Sequence, residues 1–341
     1  MAQLVYTEQE IMSDHDYAKK HELAGHRLHG GFDAEGNYIS PRTLVREPAV
    51  EAWTEALRKR GGDILYVDPR VQDLPRYPNH EQMKLLLKQG IEKPLWNSLT
   101  TISILEGSGR RIGEQDWPLL QDIIVEDVSE MGIGHLNKGI LLAHGLDEGG
   151  EPAKGIGAHD VMWVVVRDLA FGPRDYPEPT NVGFGGRGPG QRLAPEIGEA
   201  YEGLIRFMMN LLMIEYGAAS TFGFNQRLLR DPELFTDRRA EAEDAARIVD
   251  RICQDEVIHV TSLRTFLGEL RSVTLKTVDG STIKGSEIVD RLWAAQMRVI
   301  TQDFQDQPTE RRRQQEENLR KQIRENPDGA RIEREFDALA G

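Results

Sequence analysis

From Thr236 to about Leu270 the chain reads as one amphipathic helix whose apolar face is interrupted by a carboxylate and an imidazole. Val249, Ile252, Cys253, Val260, Leu263 and Phe266 recur at three- and four-residue spacing, and Glu256 and His259 stand on that same stripe. An ionised carboxylate in an apolar interior costs several kcal/mol unless a positive partner offsets it. Glu-x-x-His, spaced i and i+3, sets the two side chains next to each other on one helix face, which suits a shared metal ion. An ordinary hydrogen-bonded pair is the alternative.

The preceding helix, expected from about Pro195 to Leu229 and stopped by Asp231-Pro232, carries a matching intrusion. Glu215 shares a face with Met208, Leu211, Leu212, Ala218 and Phe222. If the connection turns near residue 234, antiparallel pairing sets Glu215 opposite about residue 253, within a turn of Glu256 and His259. Two buried acids at one depth repel each other without a cation between them.

Apolar spacing from His80 to Gly107 predicts another long helix (A), and Asp116-Trp117-Pro118 opens a fourth (B) running to about Leu142. With their turn near residue 111, Glu130 on helix B faces about residue 92, which is a glutamate. Glu92 lies among Leu85, Leu86, Leu95, Trp96 and Leu99. The rival acid, Glu106, would sit roughly 20 Å of helix away, so Glu92 is preferred.

These four helices, residues 80–270 with a crossover at about 145–194, predict an all-α four-helix bundle. Residues 1–79 read as an irregular arm with one short helix near Pro48–Lys59. Residues 271–341 read as a β-hairpin around Asp279-Gly280, a further helix at about Ser286–Gln305, and a charged tail that is a solvated helix or a disordered end. The run Gly183–Gly190 lacks the Gly-Lys-Ser/Thr ending of a phosphate loop and reads as a flexible crossover or lid.

Such an arrangement resembles the ferritin-like di-iron and di-manganese carboxylate superfamily, whose core takes one Glu from each of two helices and Glu-x-x-His from each of the other two. The resemblance covers residues 80–270. It implies that Glu92 and Glu215 are single-carboxylate ligands and that Glu256 with His259 is one Glu-x-x-His. Helix B departs from the pattern, because Glu130 and His135 are spaced i to i+5, about 140° apart around a regular helix. A π-type turn eased by Gly132 and Gly134 would return both to one face, with Asp127 or Glu126 as the alternative to His135.

What the resemblance implies is a non-haem oxidase or oxygenase that activates dioxygen at two iron ions, or at a manganese–iron or manganese–manganese pair, and oxidises a small organic substrate. An external electron donor and a homodimer go with that expectation. Ferritin- or rubrerythrin-like iron handling or peroxide removal, and a metal-free helical binding protein, are the alternatives. The cavity is expected to be walled by Leu95, Trp96, Leu99, Met208, Leu212, Phe222 and Val260.

Composition narrows the field further. The 42 basic and 56 acidic residues leave a net charge of −14, which disfavours nucleic acid and anionic membrane surfaces as partners. A single cysteine, Cys253, rules out an intramolecular disulfide and a cysteine-rich zinc or rubredoxin-type site. The start has neither the basic nor the apolar region of a secretory signal, so a cytoplasmic location is expected. His21, His26 and His29 read as a solvated group, with a secondary metal site as the alternative, and His144 and His159 border the crossover, where they could reach the site, although no spacing ties them to it.

Overall fold

The computed structural model of the protein describes residues 3–73, 76–180, 182, 192–299 and 310–340. The glycine run at 183–190 lies outside the described residues. The chain is mostly helical, with small sheets. In order come α1 (Glu8–Ile11), strands β1 (Lys19–Leu23), β2 (His26–Phe32) and β3 (Tyr38–Ile39), α2 (Thr43–Lys59), α3 (His80–Lys88), α4 (Lys93–Ser108) and α5 (Arg111–Glu114). There follow α6 (Leu141–Gly149), β4 (Ile156–Gly157), α7 (His159–Phe171), α8 (Glu199–Arg230) and α9 (Arg239–Ser272). Hairpin strands β5 (Thr274–Lys276) and β6 (Thr282–Lys284), α10 (Gly285–Arg298), α11 (Glu310–Arg324) and α12 (Gly329–Ala338) complete it. No helix among the described residues is long and apolar enough to cross a membrane.

The second predicted hairpin forms largely as expected. Pro232 halts α8 at Arg230, and α9 returns along it. The β5–β6 pairing Leu275↔Ile283 also matches, with Gly280 at φ +86° in its turn.

The first hairpin differs. Predicted helix A is two helices, because Gly90 takes a left-handed φ of +72° and the Ile91 N–H returns to the Leu86 carbonyl at 2.9 Å, closing α3. Predicted helix B is not a helix over most of its length. Leu120–Asp122 and Gly132–His135 are short 3₁₀ turns, Leu136–Ile140 is a π-type turn with Gly139 at φ +95°, and the residues between 122 and 132 are irregular. Gly134 approaches so closely that a Cβ there would meet the Val128 carbonyl oxygen at 2.1 Å. Ile124, Val128, Ile133 and Leu136 are buried through tertiary packing instead of a helical stripe.

The arm is more ordered than its composition suggested. Strand β2 pairs antiparallel with β1 and β3 and parallel with β4, with Leu28 opposite Gly157. That register sets β2 beside the start of α7, within the stretch expected to be a loose crossover. The tail also packs in part: Ile323, Ile332 and Phe336 are buried with Met83 and Leu86, and Gln82 donates to the Phe336 carbonyl at 3.0 Å.

Helix α4 packs on α7, α7 on α9, and α9 on α8. Two apolar cores result, and α8 and α9 run through both. Met208, Leu212, Leu263 and Phe266 belong to one, and Phe222, Val249, Ile252 and Leu99 to the other. Between them, at the level of Glu215, Glu256 and His259, lies a band of buried charge.

Candidate metal centre

Four carboxylates and three imidazoles meet in that band. Helix α4 brings Glu106, α6 brings His144 and Glu148, α7 brings His159 as its first residue, α8 brings Glu215, and α9 brings Glu256 and His259. All but Glu106 are buried; its side chain is partly exposed, yet its carboxyl reaches the group. Ligand atoms of His144, Glu148, Glu215 and His259 lie within 4.8 Å of one another, and so do those of Glu106, Glu148, His159 and Glu256.

Glu148 and Glu256 span the cluster. Glu148 places Oε2 3.1 Å from His159 Nδ1 and Oε1 3.1 Å from His259 Nδ1. Glu256 places Oε1 3.3 Å from His159 Nδ1 and Oε2 2.9 Å from His259 Nδ1. On the His259 side, His144 stacks on His259 with ring centres 3.8 Å apart and sets its Nε2 2.9 Å from Glu215 Oε1.

Outer carboxylates hold the two central imidazoles in a crossed arrangement. Asp147, the residue before Glu148, accepts from His259 Nε2 at 3.1 Å. Asp255, the residue before Glu256, accepts from His159 Nε2 at 3.2 Å. Each aspartate thus fixes the histidine of the other pair, and each histidine is left with Nδ1 facing the carboxylates.

The aspartates differ in their own partners. Asp147 is gripped by Arg42 (2.5 Å) and Arg46 (2.5 Å). Arg42 sits at φ +53°, a strained position held by this pair and by its N–H to Asp14 at 2.9 Å. Asp255 accepts instead from His29 Nε2 (2.9 Å) and the Tyr38 hydroxyl (3.0 Å), both delivered by the N-terminal sheet.

Protonation follows from this geometry. Burial and the Glu148 carboxylate push Glu106 well above the usual range, and burial with Glu256 and Glu148 does the same to Glu215. Burial opposes ionisation of Glu148, but His159 and His259 hold it well below its usual value. Burial and Glu148 likewise raise Glu256, yet His259 and His159 outweigh them and hold it at about 2. Both histidines are raised well above the ordinary imidazole value against the opposing effect of burial. His144, desolvated and beside His259, falls to about 3.

The group fits cations. Oε1 of Glu148 and Oε1 of Glu256 are buried and accept no hydrogen bond among the described residues, although each has an imidazole nitrogen close by. Two divalent cations would balance the four carboxylates Glu106, Glu148, Glu215 and Glu256. Their oxygens together with imidazole nitrogen form a donor set suited to iron or manganese.

Of the residues singled out by spacing, Glu215, Glu256 and His259 come together here, and Glu92, Glu130 and His135 do not. Glu92 precedes the first residue of α4 at the surface side and pairs with Arg174 and with the Tyr176 hydroxyl (3.0 Å). Glu130 is exposed in the loop that replaces helix B. His135 is buried, but its Nε2 accepts from the Tyr6 N–H (3.0 Å) and its Nδ1 donates to the Met131 carbonyl (2.8 Å), leaving no nitrogen free. Glu126 and Asp127 are engaged elsewhere, Glu126 accepting from the Thr274 N–H and Asp127 from the Ser129 N–H.

Glu106, the rival to Glu92, is in the cluster, as are His144 and His159, which spacing alone does not tie to it, and Glu148, which spacing does not single out. The depth arithmetic that rejected Glu106 assumed an unbroken helix A paired with helix B. The Glu148 and His159 pair is hidden by the excursion of residues 150–158, which joins the sheet through β4 and re-enters at α7. One signal was available: the dipeptide Asp-Glu occurs twice in the chain, at 147–148 and 255–256. His29 and His21, read as solvated, are buried. No family model matches the chain, and no match was found among curated proteins or solved structures.

Proposed function

We propose that this cluster holds two transition-metal ions, iron or a manganese–iron pair, and that the protein is a non-haem oxidase or oxygenase acting on a small organic molecule. The observation that carries this reading is the crossed pair of Asp-Glu dipeptides around four carboxylates, in which each of the two central histidines is oriented by a second buried carboxylate. In this reading α4, the broken segment α6–α7, α8 and α9 correspond to the four helices of a ferritin-like bundle, with Glu148 and His159 taking the part of its second Glu-x-x-His.

Bound there, the metal pair supplies electrons for reducing dioxygen and oxidising power for the substrate. The chain supplies the rest. Glu148 and Glu256, each within 3.3 Å of both His159 and His259, would help to hold both ions. Asp147 and Asp255 hold the proton on Nε2 of His259 and His159, so that Nδ1 of each is the nitrogen that would give up its proton and offer a lone pair to an ion. Arg42 and Arg46 keep Asp147 ionised. The apolar cores above and below exclude water from the band.

Anaerobic loading with ferrous iron followed by exposure to air tests the proposal. The expected result is a near-ultraviolet charge-transfer band developing with a stoichiometry of two irons per chain. Iron that stays unreactive toward air, with no such band, contradicts it.

A further inference from the structure

The two halves of the cluster are chemically unequal. Around His259 the donors are two imidazoles, His259 and His144, with Glu148 and Glu215, and Glu256 Oε2 also lies 2.9 Å from His259 Nδ1. Around His159 there is one imidazole with three carboxylates, Glu106, Glu148 and Glu256. His144 is what breaks the balance, and it is built in: it is buried, stacked face to face on His259 at 10° between ring planes, and 2.9 Å from Glu215.

The outer partners differ in the same sense. The aspartate behind His259 is neutralised by Arg42 and Arg46, two fixed cations. The aspartate behind His159 receives hydrogen bonds from His29 and Tyr38 and, among the described residues, has no arginine or lysine ion pair. With Glu148 and Glu256 near both histidines, each side has three carboxylates within reach, but the His259 side has two imidazoles to the other's one and an arginine-neutralised aspartate behind it, so the His159 side is the poorer in nitrogen and the less neutralised.

Divalent metals gain unequally from nitrogen. Affinity at such sites rises from manganese to iron, and imidazole suits iron, whereas carboxylate oxygen suits manganese. Resting on the dinuclear reading above, we propose that the two positions select different metals: the His144/His259 position takes iron first, and the Glu106/His159 position accepts manganese when both metals are supplied. The residue that imposes the choice is His144.

Equimolar Mn²⁺ and Fe²⁺ added anaerobically to the full-length metal-free protein, followed by diffraction at the two absorption edges, tests this. The iron signal is expected to be several-fold stronger than manganese beside His144 and His259, and manganese several-fold stronger beside Glu106 and His159. Equal mixing of both metals at both positions, or the reverse distribution, overturns the inference while leaving a dinuclear centre standing. Binding of neither metal overturns both. A His144→Gln variant that still binds two ions should lose the iron preference at its position; an unchanged distribution in that variant removes His144 as the cause.

Discussion

Glu269 and Glu148 are both buried carboxylates, yet their surroundings drive them to opposite protonation states. Glu269 accepts from the Ile133 N–H at 3.0 Å and has the Arg60 guanidinium 3.6 Å away, and burial pushes it up from 4.5 to about 7. Glu148 is ringed by imidazoles and stays ionised. Because folded Glu269 binds its proton more tightly than the unfolded chain does, its protonation stabilises the fold, and that contribution is lost as pH rises from about 4.5 through about 7. Glu269→Gln keeps an oxygen for the Ile133 N–H and should remove up to about 3 kcal/mol of this pH dependence. Urea unfolding at pH 5 and pH 8 checks it, and parallel pH profiles for the two proteins would refute the assignment. At the cluster, Asp255→Asn should weaken metal binding about 10–100-fold, read by competition with a chelating dye, because the amide no longer fixes the His159 tautomer. Asp147→Asn should also destabilise the fold, on the order of 3–5 kcal/mol, by leaving Arg42 and Arg46 buried without their shared carboxylate.

Between elements, what could be read from spacing depended on whether a helix runs unbroken. Helices α8 and α9 do, so counting back from their turn brought Glu215 to the level of Glu256 and His259. The first hairpin is interrupted at Gly90, and most of predicted helix B is irregular, so the same count set Glu130 against Glu92 and led away from Glu106. Glycine's tolerance of left-handed backbone and close approach decided the outcome, and periodicity is blind to both. Gly134→Ala should therefore cost on the order of a few kcal/mol by thermal melting, since its Cβ would meet backbone that cannot rotate away. His135→Ala separates structure from ligation. It strands the buried Tyr6 N–H at a cost of about 1–3 kcal/mol, yet metal content should stay at the wild-type value. Loss of metal by a variant that remains folded would return His135 to the centre.

Across the whole molecule, two apolar cores are held apart by a charged band that is balanced by protons when no cation is present. The raised affinities of Glu106, Glu215, His159 and His259 mean that metal must displace protons on binding. Metal affinity should accordingly rise with pH, and isothermal titration in two buffers of different ionisation enthalpy should record proton release. A helical chain with carboxylates buried at one level was legible from residue order, because an acid on an apolar stripe stands out locally. The sheet that carries His29 and Tyr38 to Asp255 was not, since those contacts join residues more than 200 positions apart.

The most direct measurement is the metal content of the purified full-length protein after expression with iron and manganese in excess. The account predicts close to two ions per chain, falling together when Glu148 or Glu256 is replaced by alanine. Fewer than one ion per chain in the folded wild-type protein would contradict it.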